Sequence, residues 1–173
     1  MIETTLLPGP DAGLMHRLPA HGMSPVAREH PQAFTAPGTA RAEGVDPDTF
    51  AKVVAIRTDD GATWLAVVEA EDHVDLRKAC TVLGRGEVRL LTEPELSALA
   101  PDCEVGAMPA VGKLYDVPVV ADVAIREASA ISFNAGSHRW TVRVGRERWE
   151  HADGVLYADI ASGEEMRPAW ARS

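Results

Sequence analysis

Aromatic side chains are scarce in this chain: three Phe, two Tyr and four Trp make up 5% of its 173 residues. A core with so few rings must be filled by Val, Leu, Ile and Ala, and a hydrophobic content of 46% supplies them. There are only two cysteines, Cys80 and Cys103, which excludes a disulfide framework and any four-cysteine zinc site. No apolar run approaches the ~18 residues that a membrane span needs. The opening MIETTLLPGPDAG is broken by Pro8, Gly9 and Pro10 and has no basic-then-apolar leader pattern. Positive charge is short as well. Lys and Arg number 17 against 26 Asp and Glu, a formal charge of -9, so the overall field does not favour nucleic acid and only a local basic lip remains available. These absences point to a cytoplasmic protein with neither a membrane nor a DNA partner.

The familiar catalytic signatures are missing too: no GxGxxG, Walker loop, GxSxG elbow or HExxH occurs. Cys80 and Cys103 are not in CxxC spacing. Asp72, His73 and Asp75 read as a solvated helix start rather than a metal site. Cys103 is flanked by Asp102 and Glu104, whose negative charge disfavours a thiolate nucleophile. No metal and no cofactor are expected.

Residues 1–26 carry Pro8, Pro10, Pro19 and Pro25 without any period and read as an irregular arm. Thr39 to Glu43 suits only a poor short helix, since Pro37 and Gly38 precede it. Lys52–Arg57 and Thr63–Glu69 are β-branched runs separated by Asp59-Asp60-Gly61, the pattern of an antiparallel hairpin. Asp75–Leu83 has helical spacing, with Gly84 placed to end it. Glu87–Leu91 is a short strand. Thr92 and Glu95 then form a capping box, with Pro94 tolerated in the first turn of a helix running to Ala100.

Pro101–Asp116 reads as a long loop. Pro118–Ala121, Ala130–Asn134 and Arg139–Val144 read as strands. A short helix is expected at Val123–Glu127 and another at Arg146–Ala152. From Gly154 the pattern is lost, and 153–173 reads as a tail. Interleaved helices with hairpins at both ends imply a mixed α+β fold, with a mixed, mostly antiparallel β-sheet or partial barrel wrapped by helices. One domain over residues 27–152 accounts for the regular part.

Several segments, taken in order, resemble one family. Glu29-His30-Pro31 with Ala33-Phe34-Thr35-Ala36 is similar to its opening EHPPAFTA. Ala51-Lys52-Val53-Val54 resembles its lysine strand, and Asp75-Leu76 with Leu83-Gly84 its D-L…L-G helix. Cys103–Gly112 (CEVGAMPAVG) resembles its glycine-proline loop, and Phe133–His138 (FNAGSH) its late F-N-A-G-T-H turn. The family is the YbaK/prolyl-tRNA-synthetase-associated domain, whose members hydrolyse misacylated tRNA. The likeness spans residues 27 to 152. It departs at the loop, where members carry glycine, three residues, then proline, whereas here position 110 is Ala110 and the proline is Pro109.

The resemblance implies a pocket between the lysine strand, the glycine-proline loop and the glycine turn, and cleavage of the ester joining an amino acid to the terminal adenosine of tRNA. Such an ester is already activated, so positioned water and oxyanion stabilisation suffice without a strong nucleophile. On this basis Lys52, Gly106 and His138 are the expected catalytic residues. Lys52 would point its ammonium at a ribose hydroxyl or phosphate, and Gly106, Ala107, Met108 and Pro109 would present backbone N–H groups and a rigid wall. Gly136 would let the nucleotide approach the backbone, and His138 would bond a ribose or carbonyl oxygen. His30, Phe34, Thr35, Ala107, Met108, Pro109, Asn134 and Gly136 are the expected substrate-binding set.

Arg139, Arg143, Arg146 and Arg148 against Glu147 form a local basic stretch for the acceptor end of tRNA, with Arg139 and Arg143 on one strand face. The expected partners are aminoacyl-tRNA and a synthetase, and the expected substrate is a small amino acid on tRNA. The competing readings are a catalytically inactive member that binds an aminoacyl or nucleotide ligand or a protein partner, and an unrelated small-molecule esterase.

Overall fold

The computed structural model of the chain describes residues 15, 17–19, 22, 23, 25–29, 35–43 and 49–162. His30 and Phe34, both expected near the substrate, lie outside the described residues. Three sheets organise the rest. Strands β2 (Ala51–Thr58) and β3 (Thr63–Glu69) form the expected hairpin, reversed at Gly61 with φ +85. β5 (Val88–Leu90) pairs antiparallel with β2, while β6 (Val119–Asp122) and β9 (Leu156–Ala158) add in parallel beyond β3, giving the order β5-β2-β3-β6-β9.

β1 (Val26–Glu29), β8 (Trp140–Gly145) and β7 (Ala130–Ser137) form an antiparallel sheet in that order. β4 (His73–Val74) pairs with β10 (Ala161–Ser162). A parallel bridge between Phe50 and Ser132 ties the start of β2 to β7. The fold is thus mixed α+β with mostly antiparallel pairing, as the sequence pattern implies. The segment after Gly154, which shows no pattern in the sequence, nonetheless contributes β9 and β10: strands of three and two residues are too short to display a period.

The five-stranded sheet is buried on both faces, and successive residues of β2 serve different cores. Ala51, Val53 and Ala55 pack with Leu65, Val67, Val119 and the inner face of β7 and β8 (Ile131, Phe133, Val142, Val144). Val54 and Ile56 pack with Val68, Val120 and Ile160 against Ala79 of α2 (Leu76–Leu83). α2 is capped at both ends: the Asp75 carboxylate accepts from the Arg77 and Lys78 N–H groups, and Gly84 closes the last turn at φ +63. α1 (Ala36–Glu43) is longer than the sequence suggests. Pro37 lies in its first turn, where no N–H is required, and Thr35 Oγ1 accepts from the Gly38 N–H at 3.0 Å.

α3 (Glu93–Leu99) starts on the expected capping box of Thr92 and Glu95. Glu95 does more than cap. Its carboxylate also receives Arg89 of β5 at 2.8 and 3.0 Å and Arg57 of β2, fastening the helix to the sheet. Hydrogen bonding from Arg89, followed by the Thr92 N–H, holds the Glu95 carboxyl far below the ordinary carboxylate range.

The loop after α3 is anchored by α4 (Arg146–Asp153). The indole N–H of the fully buried Trp149 donates to the Ala110 carbonyl at 2.6 Å, and the Asp153 carboxylate accepts from the Gly112 and Lys113 N–H groups at 2.8 and 2.9 Å. Trp149 and Asp153 are four apart and so share one helix face. Gly112 starts a single 3-10 turn (Gly112–Leu114), where a Cβ would lie 2.2 Å from the Val117 carbonyl oxygen and 2.7 Å from Val119 Cγ2. A second buried carboxylate, Asp122 at the end of β6, accepts from Ala124, Ile160 and Ala161, capping the 3-10 turn Val123–Glu127 and holding β10 in place.

Two predictions follow from these anchors. Gly112→Ala is expected to lower stability by about 3 kcal/mol, because the clash is with backbone and cannot be relieved by a rotamer change; urea unfolding with an unchanged m-value checks it. Because the folded-state pKa of Glu95 is depressed, its stabilisation is present above its unfolded value of about 4.5 and disappears as pH falls below that. Glu95→Gln is therefore expected to be less stable than wild type at pH 7, with the difference narrowing on acidification; denaturation midpoints at pH 7 and pH 3 measure this.

Candidate active site

The glycine-proline loop and the late glycine segment, about thirty residues apart in sequence, meet edge to edge. The Glu104 N–H donates to the Gly136 carbonyl at 2.8 Å, and the Gly136 N–H donates to the Ala107 carbonyl at 2.9 Å. Between these two bonds, Glu104 to Ala107 form a tight turn closed by the Ala107 N–H on the Glu104 carbonyl at 3.0 Å. Gly106 is its third residue with φ +82, a position that strongly favours glycine.

Residues 134–136 do not make the turn expected from the sequence. β7 continues through them to Ser137, with an irregularity in its pairing between Asn134 and Ser137, and the chain reverses at His138 and Arg139. Gly136, at φ +85, gives β7 a bulge instead, which turns its edge toward the loop.

His138 lies beneath Gly106, its Cε1 3.6 Å from where a Cβ would stand. Its Nε2 is 2.7 Å from the Val105 carbonyl oxygen, and since a carbonyl only accepts, that nitrogen carries the proton. At 5% exposure the ring braces the loop. The His138 N–H donates to Glu104 Oε2 at 3.1 Å.

The loop's available donors are fewer than the sequence implies. Pro109 has none, the Ala107 N–H is used within the turn, and Ala107, Met108 and Pro109 are buried. Val105 and Gly106 are exposed, and their N–H groups have no acceptor among the described residues. They border a small open depression between α3 and the loop, lined also by Leu96, Ser97, Ala100, Cys103, Glu104 and Met108.

Lys52 is carried differently. It alternates with Ala51 and Val53, so it stands on the face of β2 opposite the core that receives Met108 and Ala110. Its ammonium donates to the Asp72 carbonyl in the turn between β3 and β4. The structure thus brings together Gly106, Ala107, Met108, Gly136 and His138, while the Lys52 ammonium donates to the Asp72 carbonyl in the β3–β4 turn.

Asn134 lies on the Lys52 side: the parallel bridge of Phe50 with Ser132 aligns the next residues on that face, Lys52 and Asn134. The Asn134 side-chain oxygen is buried and has no hydrogen-bond partner among the described residues. Thr35 serves as the cap of α1. Of the basic stretch, Arg143 donates to Ser132 Oγ at 3.0 Å and Arg146 binds the Ala128 carbonyl and Glu150, which leaves Arg139 and Arg148 as the exposed pair. Arg139 sits in the turn before β8, not on the strand face with Arg143.

The residues that fix this site and escape a sequence reading are Trp149, Asp153 and Glu104. A Trp and an Asp at i, i+4 in an otherwise polar helix was the available signal for the first two. Among the described residues no group of three or more His, Cys, Asp and Glu side chains could hold a metal ion, and no helix is long and apolar enough to cross a membrane.

No curated protein matches the chain. Among solved structures, it superposes on a proposed trans-editing enzyme for prolyl tRNA synthetase with a TM-score of 0.74 at 23% identity, covering 87% of this chain and 94% of that one. The hypothetical protein APE2540 gives 0.77 at 17% identity, covering 86% and 99%, and a scaffold protein used for epitope grafting gives 0.75 at 24%, covering 87% and 95%. At these identities the likeness is one of fold. Residues 30–151, most of the chain, match the aminoacyl-tRNA editing domain, and the chain belongs to that family.

Proposed function

We propose that this chain is a trans-acting deacylase that hydrolyses the ester of a small amino acid mischarged on tRNA, working in the cytoplasm through the domain of residues 27–152. The observation that carries this reading is the pair of N–H groups on the exposed residues Val105 and Gly106, which have no acceptor among the described residues. Two adjacent donors on a turn braced by β7 and His138 are preorganised to hold the oxyanion of a tetrahedral ester intermediate, where such donors are worth most. Water, or a group of the substrate itself, supplies the nucleophile. The buried oxygen of Asn134 is an acceptor for a ribose hydroxyl, and Lys52, on the same face, provides the charge that holds the nucleotide end. With a formal charge of -9, binding rests on a local contact, with Arg139 and Arg148 as its exposed cations, or on help from a synthetase.

One observation favours a second reading. The Lys52 ammonium rests on the Asp72 carbonyl on the far side of β2 from the loop core, an arrangement suited to a member that binds an aminoacyl or nucleotide ligand without turning it over.

Incubation with tRNAs charged with alanine, cysteine or proline separates the two. The deacylase reading expects release of the amino acid well above buffer, a rate that falls as salt is raised, and a loss of about 100-fold in Lys52→Ala. Stabilisation by charged tRNA without release would establish the binding role. No release for any of them, with Lys52→Ala indistinguishable from wild type, would end the deacylase claim.

A further inference from the structure

We propose that His138 is a positioning residue that sets the direction of the Gly106 N–H, a role that rests on the deacylase reading above. Glu104 to Ala107 form a four-residue turn closed by the Ala107 N–H on the Glu104 carbonyl at 3.0 Å. Gly106, its third residue, has φ +82. Among the described residues Asp116 is the one non-glycine with a positive φ, so Val105 has a negative one. Negative then positive is the pattern of a type II turn. The type I alternative closes with the same hydrogen bond but has its central peptide turned over by about 180°. Glycine accepts either state, since it takes positive and negative φ with similar ease. A contact to the central peptide decides between them.

That peptide joins Val105 to Gly106, and its carbonyl oxygen accepts from His138 Nε2 at 2.7 Å. In a trans peptide the C=O and the N–H point in opposite directions. With the carbonyl drawn to a buried ring, the Gly106 N–H is aimed the other way, to the side on which Val105 and Gly106 are exposed. Turning the peptide over would carry the N–H to the imidazole and put a carbonyl oxygen where an oxyanion is to be held.

The ring is itself fixed to the turn. The His138 main-chain N–H donates to Glu104 Oε2 at 3.1 Å. Gly136, two residues earlier, bonds both ends of the turn, accepting from the Glu104 N–H at 2.8 Å and donating to the Ala107 carbonyl at 2.9 Å. The imidazole also lies under Gly106, with Cε1 3.6 Å from where a Cβ would stand. The bond to the Val105 carbonyl polarises the peptide as well, which makes its N–H a stronger donor. Without that bond the carbonyl loses its donor and the turn populates the other state.

His138→Gln can place an amide N–H where Nε2 stands, whereas His138→Phe fills the space and donates nothing. Single-turnover release from alanyl-, cysteinyl- and prolyl-tRNA is measured for wild type, for both variants, for Gly106→Ala and for Gly106→Ala combined with His138→Phe. The NOE between Val105 Hα and the Gly106 N–H, strong in a type II turn and weak in a type I turn, reports the peptide directly. The expected result is a loss of about 30-fold in the chemical step for His138→Phe with KM little changed, and a His138→Gln rate within about fivefold of wild type. The NOE weakens in His138→Phe and persists in His138→Gln. The double variant is no slower than the slower single one, because both changes act on one peptide. A His138→Phe or Gly106→Ala rate within about threefold of wild type overturns the assignment while leaving the deacylase reading intact. So does an unchanged NOE in His138→Phe, or losses that multiply in the double variant, the mark of a direct contact between His138 and substrate. Absence of release by the wild-type protein removes the deacylase reading and this role with it.

Discussion

A segment with almost no regular structure has to keep one shape in this protein, and the buried carboxylate of Asp153 is the contact on which that depends. Residues 104–113 run between α3 and a 3-10 turn with few hydrogen bonds of their own. Backbone polar groups in such a segment must find partners elsewhere or lose free energy. Asp153 takes two N–H groups at one end of the stretch, Trp149 takes a carbonyl near its middle, and Gly136 with His138 takes the other end. At the apex, the N–H groups of Val105 and Gly106 have no acceptor among the described residues. The donors a reaction would use are those the fold itself does not consume.

The two sheets divide the labour around that loop. One face of β2 and the inner face of β7 and β8 form the core on which Met108 and Ala110 settle. The opposite side of β2 carries Lys52, in line with Asn134 through the Phe50–Ser132 bridge. Neither set of residues lies in a single stretch of sequence. Their relation is set by the bridge and by the bulge at Gly136, two local departures from regular pairing.

Much of the scaffold was legible in the sequence. The Asp59–Gly61 hairpin, the helix between Asp75 and Gly84 and the capping box of Thr92 with Glu95 rest on local chemistry that acts within a few residues, so reading them needs no knowledge of the tertiary fold. The face on which Lys52 stands was not legible. β2 has apolar residues at both parities, Ala51, Val53 and Ala55 alternating with Val54 and Ile56, so its pattern does not say which face receives the loop. Gly136 was ambiguous for a related reason: a positive φ serves a turn and a bulge alike. β9 and β10 are held by pairing and by Asp122, from forty residues away, and leave no periodic trace. The clamp by Trp149 and Asp153 sits in RERWEHAD, where polar residues hide the buried face.

The manner in which the loop is held separates its backbone from its side chains. The hydrogen bonds from α4, Gly136 and the His138 ring to 104–113 go to main-chain N–H or C=O groups, while Glu104 reaches the His138 N–H with its side chain. Side chains along the rim, such as Val105 at 50% exposure, can therefore be exchanged by drift or by design while the peptide groups beneath them stay in register. Selectivity for what enters the depression and the geometry of the donors at its lip become separately evolvable traits.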